Sequence, residues 1–346
     1  MATIEVKPES YWVKRAKARD NFFRSTANKR FSFIRKQYKT AYENMSETID
    51  KFYGRYGTPD GQTVIVTQND AFAIMSRQET RAFQRKAEKI REKVILTEDD
   101  AFKIRLGKYS NNKRQVRKNV MDLDHEYDLH KVFNAQQLTL DDMLPVVYKD
   151  GYILTQFDIA RGIGFSRNIL GELGERRIKK LIEEPWSGQD FSSRIWKNKE
   201  KLTSTVKELT TRGMVQGQHV REMANELSKR MGVSKKNALR LMISETTHAS
   251  ETASLEASKD AGFEKMEVVS TPSDKYHFTR SDINGKVFKI GSSQQAFYTP
   301  PIEYPLCWCV LVPLIDNKTI EIFKAPRKYD SFADWKKANN KKTSLV

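Results

Sequence analysis

The feature that most constrains this chain is a row of apolar residues, Ala27, Phe31, Ile34, Tyr38, Ala41, Met45, Ile49 and Phe52, separated by steps of four and three. That period is one face of an α-helix laid against another helix. It predicts a long helix from Ala27 to Tyr53, about 40 Å at 1.5 Å per residue, ended by Gly54 and Gly57. Upstream, Tyr11, Trp12, Ala16 and Phe23 read as a shorter basic helix that folds back on it, so the expectation is a helical hairpin.

Only 38% of the 346 residues are hydrophobic and 30% are charged. No run of about 18 apolar residues occurs, which excludes a membrane-spanning helix. The amino terminus lacks the apolar core of a secretory signal, so the chain is expected to stay in the compartment where it is made. Cys307 and Cys309 are the two cysteines, and positions one residue apart rarely have the geometry for a mutual disulfide. The net charge is +17, and residues 1–118 carry 27 Lys/Arg against 14 Asp/Glu, which puts +13 there and +4 in the rest. A field of that sign draws polyanions, so nucleic acid, an acidic protein surface and an anionic membrane are all candidate partners. The opposing reading is a solvated, charge-rich helical face.

The turn signal Asp60-Gly61 and the β-branched run after it make 58–67 a loop or short strand. Helical spacing returns over 70–93, and Thr97 with Asp100 three later reads as a capping box opening the next helix. The polar, basic stretch 109–119 is a joint, followed at once by the acidic run Met121 to His130. Asp122, Asp124, His125, Glu126, Asp128 and His130 are metal-ligating types, but the calcium-loop spacing and its glycine are missing; a surface helix or linker is expected. Helices follow over 139–150 and 155–183, the latter ending at Glu184 before Pro185. Gly162, Gly164, Gly171 and Gly174 serve close helix packing, since no Lys-Ser/Thr follows them to make a phosphate loop. Ile195, Leu202, Val206 and Leu209 mark a helix ending at Gly213; Val220, Met223, Leu227 and Met231 mark another ending at Gly232; Ser234 is then the N-cap of a third that reaches Gly262. After Gly262 the period changes to two. Strands are expected at 265–270, 286–290 and 309–314, with Asn284-Gly285 as a hairpin turn. Phe332 and Trp335 are the anchors of a polar tail.

An ordered set of short motifs runs through the second half: Trp186-Ser-Gly188 with Phe191, Arg194 and Trp196, then Lys201-Leu202, Gln216-Gly217, Asn237-Ala238-Leu-Arg240-Leu241 and Ser244-Glu245-Thr246. It continues with Asn284-Gly285, Pro300-Pro301 and Pro305-Leu-Cys307-Trp-Cys309. Taken in this order, the set resembles the bacteriophage minor head, or head-morphogenesis, proteins of the Mu F type. The opening YWVKRAKAR, residues 11–19, is similar to the start of such proteins in phages of Gram-positive hosts. In the family the closing motif has a His before the Pro and an Arg between the cysteines, often with two more cysteines earlier. Here Tyr304 and Trp308 stand at the first two places, and His277 and Arg280 fall near the earlier pair. A tetrahedral zinc needs four ligands, and Cys307, Cys309 and His277 do not supply them, so two buried structural thiols beside an aromatic cluster are expected instead.

The fold class read from these patterns is mainly α, with long amphipathic helices in the amino-terminal two-thirds and a small carboxyl-terminal α+β module containing a β-hairpin sheet. The blocks are a basic helical region over 1–120, a helical middle or linker over 121–185, a Mu F-like domain over 186–314 and a polar tail over 315–346. Five scattered histidines form no catalytic constellation. Glu245 and His248 are only half of a metalloprotease helix motif, and an Arg240–Glu245 or Lys–Glu245 contact between helices is the expected use of Glu245. No enzyme activity, cofactor or metal is expected. The resemblance implies a structural protein of the phage head, bound to the oligomeric portal inside the capsid and assisting head assembly and genome delivery. Its implied partners are the portal, other capsid or scaffolding proteins and packaged DNA, with host cytoplasm as the site of assembly and no membrane involved. The alternative is a DNA-binding protein of the head interior without sequence preference. It would work through Lys14, Arg15, Lys17, Arg19, Arg24, Lys29, Arg30, Arg35 and Lys36, with Tyr11, Trp12, Phe22 and Phe23 free to stack on bases or pack the hairpin. Trp186 is expected to dock from a loop and Trp196 to pack inside its helix.

Overall fold

The computed structural model describes residues 9–60, 63–164, 171–270, 283–302, 307, 309–316 and 331–339. The mainly helical class holds. The helices are α1 (Glu9–Tyr56), α2 (Gln68–Phe72), α3 (Arg77–Val94), α4 (Asp100–Asn111), α5 (Lys118–Gly162), α6 (Glu175–Glu183), α7 (Phe191–Val215), α8 (Val220–Asp260), α9 (Gln295–Tyr298) and α10 (Phe332–Ala338). Strands β1 (Thr58–Asp60) and β2 (Thr63–Ile65) form an antiparallel ribbon. Strands β3 (Lys265–Val269), β4 (Val287–Lys289) and β5 (Val310–Pro313) form an antiparallel sheet in the order β4-β3-β5. Among the described residues no helix is long and apolar enough to cross a membrane.

Packing divides the chain into two compact units that are not consecutive blocks. The first is Met1–Arg30, Leu140–Asp190 and Arg240–Val346; the second is Phe31–Thr139 and Phe191–Leu239. Helices α1, α5 and α8 each contribute to both.

Several helix boundaries differ from those read in the sequence, each for a physical reason. There is no hairpin before Ala27: α1 is one helix of 48 residues. Trp12, Ala16, Phe23 and Ala27 are buried at the same helical spacing as Phe31 and Ile34, and no Gly or Pro interrupts them. Helix α5 runs through Gly151 and Pro145. A Cβ at Gly151 would meet the Ala253 Cβ at 3.1 Å, so this glycine serves close helix contact rather than termination. Helix α8 runs through Gly232, and Ser234 uses its hydroxyl on Tyr38, Oγ to Oη 2.9 Å, instead of capping. The Thr97 capping box is not formed; Asp99 caps α4 by accepting from the Phe102 N–H at 3.3 Å. The run from Asp122 to His130 is neither a linker nor a surface helix, since His125, Glu126, Asp128 and His130 are buried in α5.

Within the second unit, Met75, Phe83, Ala87, Ile90, Val94, Phe102, Leu106 and Leu123 form the core of the α3–α4 hairpin. Within the first, Leu255 of α8 packs with Met266, Val268, Phe288, Leu311 and both cysteines against the sheet. Gly285, at φ +77°, makes the turn before β4, a backbone state that suits glycine. Trp335 of α10 is fully buried, its ring 5.6 Å from that of Phe157, so the tail's aromatic anchor is in place. Gly162 faces Trp12 so closely that a Cβ would lie 2.4 Å from its ring. Gly162→Ala is expected to cost about 1–2 kcal/mol net, overpacking against Trp12 outweighing the helix-propensity gain of alanine; a thermal melt that rises would contradict this.

Candidate functional site

Helix α8 carries the most unusual stretch of the first unit. Ser244, Glu245, Thr246, Thr247, His248, Ser250, Glu251, Thr252, Ser254 and Ser258 are all buried, where an apolar stripe would be the ordinary choice. Some bond back to their own helix: the Ser244 hydroxyl donates to the Arg240 carbonyl at 2.8 Å and the Thr246 hydroxyl to the Met242 carbonyl at 2.7 Å. Others fasten neighbouring elements. The Leu311 N–H of β5 donates to Glu251 Oε2 at 2.7 Å, and Arg19 Nη2 of α1 donates to Ser254 Oγ at 3.0 Å. Arg19 also pairs with Asp158 of α5, where Arg15 Nε lies 2.5 Å from Oδ1. Arg24 holds Asp20 through Nε at 2.7 Å and donates from Nη2 to the Cys307 carbonyl.

These pairings set the charge states. Burial, then the nearby Asp20 charge, pushes the Glu251 carboxyl up to about 8 against the pull of Arg19, the Leu311 N–H and Arg24. Burial also raises Asp20, opposed by Arg24. A hydrogen bond with the Cys309 side chain brings the Cys307 thiol down to about 6 despite its burial, helped by backbone hydrogen bonds with Cys309 and Ile302 and by the charge of Arg24. Neither cysteine is in a disulfide, and the Cys309 N–H donates to Cys307 Sγ at 3.3 Å. Among the described residues, no group of three His, Cys, Asp or Glu side chains is arranged to hold a metal ion.

The family-motif residues divide between structural tasks. Trp186 comes from the loop after α6; it stacks on His248 at 4.4 Å between ring centres and donates from Nε1 to Glu245 Oε2 at 3.0 Å. Glu245 thus accepts an indole hydrogen bond from Trp186, and Arg240 is exposed. Gly188 turns at φ +86°. Phe191 and Trp196 are buried, Arg194 is half-buried, and Trp196 stacks on His130 at 5.7 Å. Pro300 and Pro301 are buried and joined by a cis peptide bond. Pro305, like Tyr304, Trp308, His277 and Arg280, lies outside the described residues.

The second unit holds an ion network that motif reading missed. Lys199 of α7, fully buried, reaches Asp99 Oδ2 and Glu126 Oε1 at 3.0 Å each and Glu200 at 3.2 Å. Glu126 also receives Arg105 Nε at 2.7 Å and Lys207 at 2.8 Å, while His130 Nδ1 bonds Asp99 at 2.8 Å. One signal was available: a lysine stands on the apolar row between Ile195 and Leu202.

The cations expected to meet DNA do not remain one group. Arg15, Arg19 and Arg24 are engaged inside the first unit as described. Lys17 is half-buried, and Lys14, Lys29, Arg30, Arg35 and Lys36 are exposed on α1. Trp12 and Phe23 are buried, and Tyr11 donates its hydroxyl to the Asp158 carbonyl at 3.1 Å. These three aromatics pack the protein instead of offering faces to bases.

Residues 204–312, which run from α7 through α8 to β5, match the family model described as Phage Mu protein F like protein. No curated protein and no solved structure matches the chain. The resemblance carried by the motifs is borne out across this segment: residues 204–312 are similar to the phage Mu F-like family, while the motifs from Trp186 to Leu202 precede the match.

Proposed function

We propose that this protein is a minor structural component of a tailed-phage head that binds the portal oligomer on the inner side of the capsid and assists head assembly and genome delivery. The match over 204–312 carries this reading, and capsid components are the partners that a head-morphogenesis protein implies. The buried polar face of α8, which accepts the Leu311 N–H of β5 through Glu251, supplies a rigid framework. Among the described residues of the matched segment four large apolar side chains are exposed, Val215, Val233, Val287 and Phe297, the most exposed being Phe297 at 72% and Val233 at 58%. Exposed apolar anchors of this kind serve protein interfaces. Co-expression with a portal protein in cells lacking DNA packaging is expected to yield a co-purifying complex. Val233→Asp or Phe297→Asp is expected to weaken the association at least about tenfold, one anchor contributing on the order of 1.4 kcal/mol, with the melting temperature unchanged. Absence of any complex at micromolar concentration would remove the portal reading.

A second reading, DNA contact without sequence preference along α1, keeps support from Lys14, Lys29, Arg30, Arg35 and Lys36, which are exposed.

A further inference from the structure

Helix α3 buries Phe83, Ala87, Ile90 and Val94 on one side. At about 100° per residue, Arg85 points directly away from that side, Arg81 and Lys89 lie about 40° to either hand, and Arg77 and Lys93 follow at about 80°. All five are exposed. Spaced by four residues, they form a ladder with rungs about 6 Å apart along the axis. Gln84 Nε2 donates to the Asn112 carbonyl at 3.1 Å, which sets the end of α4 beside the middle of this helix. Lys108, Lys113 and Arg114 of that end are exposed as well.

None of these eight cations has an acidic partner among the described residues. Some surface cations of the same unit are paired, Lys39 with Glu43, Lys51 with Glu47 and Lys86 with Asp124, while others, such as Lys197, Lys201, Lys229 and Arg230, are exposed without an ion pair among the described residues; what sets α3 apart is the regular four-residue spacing of its cations. On α3 itself, Glu79 is taken by the Ser76 cap and Arg55, and Glu88 lies 3.5 Å from Arg91, leaving Glu92 as the acid on the ladder's side. Like charges four apart weaken a helix, so the ladder works against the element that bears it. A capping box at Ser76 and Glu79 offsets this at the amino-terminal end. An uncompensated row of this kind is stabilised when a polyanion supplies the missing charge.

We propose that the outer face of the α3–α4 hairpin is a binding surface for the phosphate backbone of duplex DNA. Three of the five rungs are arginines, whose planar guanidinium takes phosphate oxygens two at a time. Helix α3 exposes no large apolar side chain, the exposed Ile95, Leu96 and Ile104 of the hairpin lying in the connection and on α4, so the ladder itself lacks the anchors on which a protein interface depends. It exposes no aromatic ring either, so unstacked bases find no platform and the duplex backbone is the form that fits. Nothing on this face reads base edges, and binding is independent of sequence. The surface is separate from the cations of α1 and does not depend on the portal reading.

The test measures binding of the full chain to a 30-base-pair duplex across a salt series. Arg81→Gln, Arg85→Gln and Lys89→Gln together are expected to reduce the slope of log K against log salt by about 2.7, about 0.9 for each lost phosphate contact. Neutralising Lys29, Arg30, Arg35 and Lys36 of α1 tests the α1 reading separately, and the loss in the α3 variant is expected whether or not the α1 variant also lowers the slope. Circular dichroism of both variants confirms that the fold is retained. An unchanged slope in the α3 variant overturns the proposal, as does failure of the parent chain to bind the duplex at low salt. Loss of portal association with DNA binding preserved also overturns it, since the ladder would then face an acidic protein surface. Tighter binding to an unpaired strand than to the duplex would overturn the choice of duplex.

Discussion

Lys199→Ala is expected to destabilise the protein by about 3 kcal/mol, among the largest losses available from one side chain. Breaking a buried ion pair from one side costs about 3–5 kcal/mol, because the partner is left charged away from water. The lower end applies here, since Glu126 keeps Arg105 and Lys207 and Asp99 keeps His130. The same network makes stability depend on acid. Burial acts to raise Asp99, but the His130 hydrogen bond and Lys199 together outweigh it and hold the carboxyl below its ordinary value. Glu126 is likewise lowered, burial being overcome by Lys199, Arg105 and Lys207. Carboxyls lowered by folding contribute stability that is present above the ordinary carboxylate range and lost as pH falls through their folded values. Denaturant titrations from pH 7 to pH 3 are therefore expected to show a steeper acid loss in the parent than in Lys199→Ala. Parallel curves with equal midpoints would show that Lys199 contributes nothing to either effect.

Glu251→Gln is expected to stabilise the protein in neutral and alkaline solution, the opposite of the usual result for a buried polar residue. The Glu251 carboxyl sits at about 8 in the folded state because burial and the Asp20 charge disfavour its ionisation. In the unfolded chain it ionises near about 4.3. Folding therefore takes up a proton between these values, and stability falls as pH rises from about 4.3 to about 8, then levels off. The accumulated loss at pH 8 is on the order of several kcal/mol, each pKa unit corresponding to about 1.36 kcal/mol. Glutamine keeps an acceptor for the Leu311 N–H, which now meets Oε2 at 2.7 Å, without a charge to desolvate. The variant and parent are expected to melt alike near pH 4, with the variant progressively higher toward pH 8. A variant that melts lower at pH 8 would mean that the carboxylate form is needed to hold β5 on α8.

Periodicity alone determined the long α1 face from Ala27 to Phe52, because one apolar residue per turn admits no other regular structure over that length. Period-two alternation and Asn284-Gly285 likewise placed β3, β4 and β5 within a residue or two. The motif order was legible as a resemblance to the Mu F-like family, which the match over residues 204–312 supports, because such motifs are local strings. Helix ends were less legible. Gly151, Pro145 and Gly232 are breakers by intrinsic propensity, yet burial of Leu144, Tyr148, Met231 and Ala238 around them carries α5 and α8 through, tertiary packing overriding a local cost of about 1–3 kcal/mol.

Charge was the least legible property, since a sequence counts cations but does not say which have partners. Arg15, Arg19 and Arg24 looked like members of the same basic face as Lys29 and Lys36. The fold brings Asp158, from more than 130 positions away, onto Arg15 and Arg19. Arg77, Arg81 and Arg85 of α3 stand among other cations in the sequence and are left facing solvent. Glu251 carries no local sign of its task and Lys199 only its place on an apolar row, because their partners Leu311, Asp99 and Glu126 are 60 to 100 residues distant. Sequence pattern reports which face of a helix is apolar; only the packed structure decides which charges neutralise one another and which remain for a ligand.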